Sequence, residues 1–314
     1  MQFPYAIIDA NINRATEGLR VIEEYTRFIS QNKAQTDALS ALRKKISHSE
    51  PHPEKNLKIR NTSKDVRALD PPNPRHSLLD LLKANFKRAE EAFRVLEEYT
   101  SLPLYNEARY ELYQLEKQIL LPLYRKTIPK GVYLISDNPE VLLKGLEWKV
   151  ALIQYRNKSA DKPTKLNAAH TLQKAATLAG IPFIINDDLD IALLADTDGF
   201  HSGQDDLSVS EQRKLLGEHK IIGKTTHSLD QGLIAQSEGA DYISVGPIYE
   251  TPSKPGRVGI GTNYLRQAQT QIHIPYVAIG GLNLNNIPDI LPHHPHLIGL
   301  IRDYHNIPEI QELL

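Results

Sequence analysis

The chain has 314 residues, 40% of them hydrophobic and 24% charged, which fits a soluble globular protein with two domains better than one small core. Its 37 basic and 38 acidic side chains leave a formal net charge of −1, without the basic excess of a nucleic-acid or membrane-surface protein. The absence of cysteine removes disulfides, thiolate metal sites and cysteine nucleophiles together. The N-terminus, MQFPYAIIDANINRATEGLR, has no basic start followed by an apolar run, and no stretch approaches the ~20 apolar residues of a membrane helix. A cytoplasmic location is therefore expected.

The first 125 residues read as helix and contain an internal repeat. Residues 9–26 (DANINRATEGLRVIEEYT) return as residues 83–100 (KANFKRAEEAFRVLEEYT) at a constant offset of 74. Ile12, Ala15, Leu19 and Ile22 step by three and four, so they share one helix face, and Phe86, Ala89, Phe93 and Leu96 repeat that face. Asp9 reads as the N-cap of the first copy. Proline-rich segments at 51–53 and 71–74 mark loops. The simplest architecture is a helical bundle with two pseudo-equivalent halves. A second, polar stripe (Asn11, Arg14, Glu17, Arg20 and Glu24) also recurs. It reads as a ladder of ion pairs, each contributing only ~0.2–0.5 kcal/mol, or as an interface in a homo-oligomer. The sharper alternative is an anion site where Arg14, Arg88, Arg20 and Arg94 meet at a pseudo-dyad.

The changeover falls near 121–130 (LPLYRKTIPK), and residues 126–314 form the second domain. Eight short apolar runs follow at 131–136, 151–155, 182–185, 198–201, 220–223, 241–245, 275–279 and 297–301. Helical stretches separate them at 164–179, 208–217 and 229–238. Strand–helix alternation predicts parallel βαβ units, and eight of them predict a closed (β/α)₈ TIM barrel. An open doubly wound sheet is the alternative.

Polar clusters follow most of these runs, at the end of the strand where such barrels carry their chemistry. They are Gln154 to Lys158, Asn186-Asp187-Asp188, His201 to Asp206, Gly223 to His227, Gly246 to Lys254 and Gly280-Gly281. Asp187 and Asp206, from neighbouring strand ends, can hold a divalent cation or share a proton. Arg156, Lys158 and Lys254 favour the ionised pair and supply a guanidinium fork and ammonium charges for phosphate. Gly280-Gly281 occupies the common barrel phosphate position, and Thr251 and Ser253 add hydroxyl donors. Each feature alone is more often a turn or a solvated charge; their joint placement points to a site for two phosphorylated groups. No residue has the setting of a nucleophilic triad, since Ser202 lies outside a G-x-S-x-G elbow. His293, His294 and His296 read as a loop at the opposite face of the barrel.

The segments QYRNK, IINDD, DGFHSGQDD, GKTTHS, ADYISVGPIYETPSK and VAIGGL, in this order, resemble the thiamine-phosphate synthase family across the whole barrel. The N-terminal repeat resembles a helical extension fused to some bacterial members. The resemblance implies a transferase that joins 4-amino-2-methyl-5-hydroxymethylpyrimidine diphosphate to a thiazole phosphate, releasing pyrophosphate by a dissociative, Mg²⁺-assisted route. It implies Asp187 and Asp206 as Mg²⁺ ligands, and Gln154, Arg156, Lys158 and Asn186 as contacts of the pyrimidine diphosphate. Lys254 is expected at the pyrophosphate, and Thr251, Ser253 and Gly281 at the thiazole phosphate.

Three positions depart from the family pattern. Thr225, a substrate contact, stands for the usual Ser and keeps its hydroxyl, and Asn157 stands for a common Glu. Ile301-Arg302-Asp303 replaces a small Val-Ser pair, so that Ile301 and Arg302 fall at the thiazole phosphate, where Arg302 either binds it, blocks it or pairs with Asp303. Two rival readings are a thiazole tautomerase-like barrel and a non-catalytic sensor of thiamine precursors. Both would be expected to lose part of the Mg²⁺ and diphosphate set that this sequence keeps.

Overall fold

The computed structural model describes residues 5–50, 53–59, 74–252, 256 and 258–314. Residues 51–52 and 71–73 of the proline-rich segments, and Ser253 and Lys254, lie outside the described residues. The chain divides into two compact units, Met1–Leu123 and Tyr124–Leu314.

The first unit is built from α1 (Tyr5–Phe28), α2 (Lys33–Ser47), α3 (Pro53–Ile59), α4 (Leu78–Thr100) and α5 (Pro103–Leu120). The two repeat copies are the bodies of α1 and α4. Their apolar faces meet in one core, where Ile12, Ala15, Leu19, Ile22, Phe86, Ala89, Phe93 and Leu96 are buried. Gly18 lets the two helices approach, because a Cβ there would lie 2.9 Å from the Asn85 carbonyl oxygen. Asp9 is not the N-cap expected of it. Helix α1 starts four residues earlier, and Asp9 sits inside it, accepting from Asn13 Nδ2 at 3.2 Å. Ile8, buried in the core, carries the helix past the capping signal. Ser77 does cap α4, accepting from the Asp80 amide.

The second unit is a closed parallel barrel with strand order β1 to β8, and direct pairing of β1 with β8 excludes the open sheet. The strands are β1 (Gly131–Ser136), β2 (Leu152–Tyr155), β3 (Phe183–Asn186), β4 (Gly199–Ser202), β5 (Ile221–Thr226), β6 (Tyr242–Val245), β7 (Tyr276–Ile279) and β8 (Leu297–Leu300). Six helices accompany them from α6 (Pro139–Glu147) to α11 (Asn263–Gln271), with α7 spanning Lys162–Ala179 and α8 Leu189–Leu194. The crossover from β7 to β8 carries two 3₁₀ turns, Ile287–Asp289 and Leu291–His293, in place of an α-helix. A short α12 (Ile307–Gln311) follows β8.

The strand pleat sorts the side chains. Val132, Leu134, Ile153, Phe183 and Ile185 point to the helices, while Tyr133, Leu152, Ile184, Ile221, Tyr242, Val277 and Leu297 fill the barrel interior. Glycine makes room for the large interior rings. A Cβ on Gly223 would lie 2.1 Å from the Tyr242 ring, and on Gly199 it would lie 2.4 Å from the Ile221 carbonyl oxygen. His293 ends the second of the two 3₁₀ turns rather than lying in a loop, its carbonyl accepting from Tyr276 OH, and His296, in the loop beyond, sets its Nε2 2.7 Å from the Ile128 carbonyl. Among the described residues no three His, Asp or Glu side chains cluster as a metal centre.

Candidate active site

A cavity of about 440 Å³ opens where the strands end. It is lined by Gln154, Arg156, Lys158, Asn186, Asp187, Asp206, Thr225, Thr251, Gly281, Ile301 and Arg302, which are all of the described residues singled out from the sequence as site residues. Barrel closure brings them together from seven strand ends, because β2 to β4 face β6 to β8 across the mouth. The lining also includes Gly280, placed at the phosphate position from sequence, and Tyr133, Ile135, His201, Gln204 and His227, which were not assigned ligand contacts from sequence. Tyr133 and Ile135 carry a readable signal, the inward alternation along β1.

Asp187 occupies an unusual backbone position. Its φ is +60°, the left-handed region that non-glycine residues seldom adopt. The turn is held from both sides. The Asp187 amide donates to the His201 carbonyl at 3.0 Å, and the amides of Asp188 and Leu189 donate to the carbonyls of Asn186 and Asp187 at 2.7 and 3.2 Å. The Asp188 carboxylate is clamped between Lys162 Nζ at 2.5 Å and Lys165 Nζ at 2.8 Å, both from the first turn of α7. This clamp keeps Asp188 turned toward α7 and leaves Asp187 for the cavity.

The Asp187 carboxyl opens to the cavity, yet burial among surrounding atoms pushes its pKa up. The neighbouring Asp206 carboxylate adds to the rise, while Arg156, Lys158 and the Asn186 side chain oppose it. Asp206 is anchored by the Gly203 amide at 2.7 Å. Two oxygen-donor carboxylates repelling one another in one cavity, with room for water and phosphate, fit a hard divalent cation such as Mg²⁺. Arg156 and Lys158 form no direct ion pair among the described residues and remain available to an anion. Asn157 turns away and braces its own loop, its Oδ1 accepting from the amides of Ser159 and Ala160 at 3.0 and 2.8 Å.

Across the mouth, Gly280 and Gly281 take φ values of +101° and +68° and pack against the loop after β6. The Gly280 carbonyl accepts from the Tyr249 amide at 3.0 Å, and the Gly281 carbonyl from Asn286 Nδ2 at 2.9 Å. Arg302 stands beside them in the cavity wall. It does not pair with Asp303, whose two carboxylate oxygens accept from the Leu284 amide and Asn306 Nδ2, both at 2.8 Å. Among the described residues Arg302 has no partner.

In the helical unit the polar stripe divides in two. Arg20 pairs with Glu23 and Glu24, and Arg94 with Glu97 and Glu98, as an ion-pair ladder would have it. Arg14 and Arg88 instead line one groove with Glu17 and Glu91, so only half of the four-arginine cluster forms.

Both units are similar to known proteins. The model of the family described as thiamine monophosphate synthase matches residues 131–303, and that of the ThiD2 family matches residues 6–118. A thiamine-phosphate synthase of Nostoc punctiforme is 38% identical over 315 residues, covering 96% of this chain and 89% of that protein. One from Thermosynechococcus vestitus is 37% identical, covering 94% and 89%. Among solved structures, a thiamine phosphate pyrophosphorylase from Pyrococcus furiosus superimposes with a TM-score of 0.54 at 28% identity, covering 61% of this chain and 96% of that one.

Proposed function

The chain belongs to the thiamine-phosphate synthase family, and we propose that its barrel couples 4-amino-2-methyl-5-hydroxymethylpyrimidine diphosphate to a thiazole phosphate in the cavity described above. The observation that carries this reading is one cavity with two phosphate-directed walls. Arg156 and Lys158 stand with the carboxylates Asp187 and Asp206 on one side, and the Gly280-Gly281 backbone stands with Arg302 on the other.

The chemistry asked of these residues is charge stabilisation and positioning. The bond between the pyrimidine methylene and the diphosphate oxygen breaks, and the electron pair leaves with pyrophosphate. The thiazole nitrogen then gives its lone pair to the methylene, forming the new C–N bond and taking up the positive charge. No proton has to move, so no strong base is needed, consistent with the lack of a triad. Arg156 and Lys158 neutralise the departing diphosphate, and Asn186 holds it in line. Asp187 and Asp206 would hold Mg²⁺, which supplies Lewis-acid stabilisation of the leaving group when bound. Thr251, Gly281, Ile301 and Arg302 seat the thiazole phosphate, with the unpaired Arg302 guanidinium as its main cation. Ser253 and Lys254, which follow β6 in the sequence, complete the set by resemblance.

The direct test is pyrophosphate release by the full chain. Release should require both substrates and Mg²⁺ and stop when any one is withheld. Binding of both substrates without release would sink the synthase reading and favour a sensor.

The Asp188 clamp gives a second expectation. Lys165→Met should raise the Mg²⁺ concentration for half-maximal release about tenfold, the usual size of an effect from outside the ligand shell. Maximal rate at saturating Mg²⁺ should change little, and Lys165→Arg should restore most of the affinity. A Mg²⁺ titration of the variants checks this, and unchanged half-saturation would show that the clamp plays no part.

A further inference from the structure

Strand β5 carries a lysine where its pattern calls for an apolar residue. Ile222, Lys224 and Thr226 alternate toward the helices, while Gly223 and Thr225 face the barrel interior and its mouth. Lys224 is only 6% exposed, and the cavity wall does not include it. Among the described residues it makes no ion pair. Its ammonium donates to the Leu207 carbonyl at 3.0 Å. Burial pushes its pKa down, and Asp206, Glu238 and Asp205 oppose the fall. An ammonium buried against a neutral acceptor is costly, and a residue like Ile222 would pack there without that cost.

What the lysine reaches is the segment 203–208, which joins β4 to α9 (Val209–Leu216) and carries Asp206. Side chains from β5, from α9 and from the end of α10 (Leu229–Ser237) hold this segment. The Leu207 carbonyl accepts from Lys224 Nζ and, at 2.7 Å, from Gln212 Nε2 of α9, so both of its lone pairs are used. Gln204 Nε2 donates to the Thr225 carbonyl. The Val209 amide donates to Glu238 at 2.9 Å. Within the segment the Gly203 amide donates to Asp206 at 2.7 Å. An ammonium can only donate and a carbonyl can only accept, so the bond from Lys224 to Leu207 has one possible direction. The carbonyl it holds lies one residue beyond Asp206.

We propose that Lys224 is a positioning residue for Asp206: by holding the Leu207 carbonyl it sets where the Asp206 carboxylate stands relative to Asp187, and so how tightly the pair holds a divalent cation. This rests on the reading of Asp187 and Asp206 as cation ligands. Lys224 acts through the backbone and touches neither substrate nor metal. Its two effects on the cation have opposite signs. As a positive charge it repels the cation, and its removal would tighten binding. As a brace it orders Asp206, and its removal would weaken binding. Glu238 and Asp205 offset its field, so the brace decides the sign.

The test follows Mg²⁺ binding to the full-length protein by calorimetry in the wild type, Lys224→Met and Lys224→Arg, and repeats Lys224→Met together with Asp206→Asn. Lys224→Met keeps most of the volume and loses the donor; it should weaken Mg²⁺ binding about tenfold, and Lys224→Arg should recover most of the loss. Beside Asp206→Asn, Lys224→Met should change the remaining affinity by less than about twofold, because the brace acts through that carboxylate. Hydrogen exchange of residues 203–208 in metal-free protein is the second readout. It should quicken about tenfold in Lys224→Met while the other strands keep their protection. The Tm of metal-free Lys224→Met should not fall, since Leu207 keeps Gln212 and a buried charge is gone, a combination that general loosening of the fold would not give. Lys224→Leu serves if Lys224→Met does not fold. Tighter Mg²⁺ binding, an equal loss beside Asp206→Asn or unchanged exchange at 203–208 would each overturn the positioning role. Unchanged Mg²⁺ binding in Asp206→Asn alone would overturn the cation reading instead, and exchange at 203–208 would then decide the brace by itself.

Discussion

Asp187→Ala should cut pyrophosphate release by about 10²–10³-fold at saturating substrates, the range seen when one charge-stabilising group of a reaction centre is removed. The side chain is one of two carboxylates in the cavity, and its backbone is held in the left-handed region by three hydrogen bonds and the Asp188 clamp. The adjacent Asp188 cannot swing in to replace it, since it is committed to Lys162 and Lys165. Steady-state rates with both substrates and a Mg²⁺ titration check this; a variant keeping more than about a tenth of the activity would remove Asp187 from the site.

The same residue should stabilise the metal-free fold when neutralised. Burial and Asp206 hold the Asp187 carboxyl above the usual carboxylate range in the folded state. The unfolded chain then binds fewer protons there than the folded one at intermediate pH, and the ionised form is penalised only in the fold. The penalty appears as pH rises above the unfolded value, near 3.9, and is complete above the raised folded value. Asp187→Asn should therefore raise the Tm of metal-free protein at pH 7, and the gain should fade as pH falls toward 4. Thermal unfolding across that window decides it, and a lower Tm at pH 7 would contradict the electrostatics. Added Mg²⁺ should raise the wild-type Tm and leave the variant's unchanged.

Gly280→Ala carries the second large effect. A Cβ there would lie 2.4 Å from Pro247 Cα, 2.5 Å from Pro247 Cβ and 3.0 Å from the Ile248 amide nitrogen, and the residue sits at φ +101°. Backbone and a proline ring cannot give way as a flexible side chain would. The loops after β6 and β7 must separate, losing the Ile248-to-Ile279 and Tyr249-to-Gly280 hydrogen bonds of 2.9 and 3.0 Å. Strain and lost bonds together should cost about 3 kcal/mol. For a unit of this size that lowers Tm by about 6–12 °C. The thiazole phosphate wall moves with the loop, so KM for the thiazole substrate should rise by at least about tenfold while affinity for the pyrimidine diphosphate holds. A Tm within about 1 °C of wild type would show that the loops have slack the packing does not display.

Much of this was readable in the sequence. Spacing alone found eight strands, and polar runs after them found the cavity wall, because a parallel barrel puts every strand's C-terminal end at one mouth. The repeat and its apolar stripe were equally direct, since helical period needs no tertiary information. Asp9 misled because a capping residue is recognised locally, whereas the helix extends ahead of it through Ile8, which packs into the core. The resemblance assigned the Mg²⁺ and phosphate residues, and it left Arg302 open in three ways. Only the fold excluded one of them, by giving both oxygens of Asp303 to other partners.

Sequence by itself determined the element order, the barrel class and which residue types stand at the strand ends, since these follow from period and patterning along the chain. Tertiary structure alone decided which of those residues meet. Tyr133 and Tyr242 are far apart in the chain, and their hydroxyls meet inside the barrel only when β1 closes onto β8, so no local pattern announced that contact. Likewise Arg14 and Arg20 look alike in the repeat, but only helix packing sends one to a groove and leaves the other with its own glutamates. Periodicity is a property of one segment, while a hydrogen bond or ion pair between segments depends on distance and direction in space, which the chain acquires only on folding.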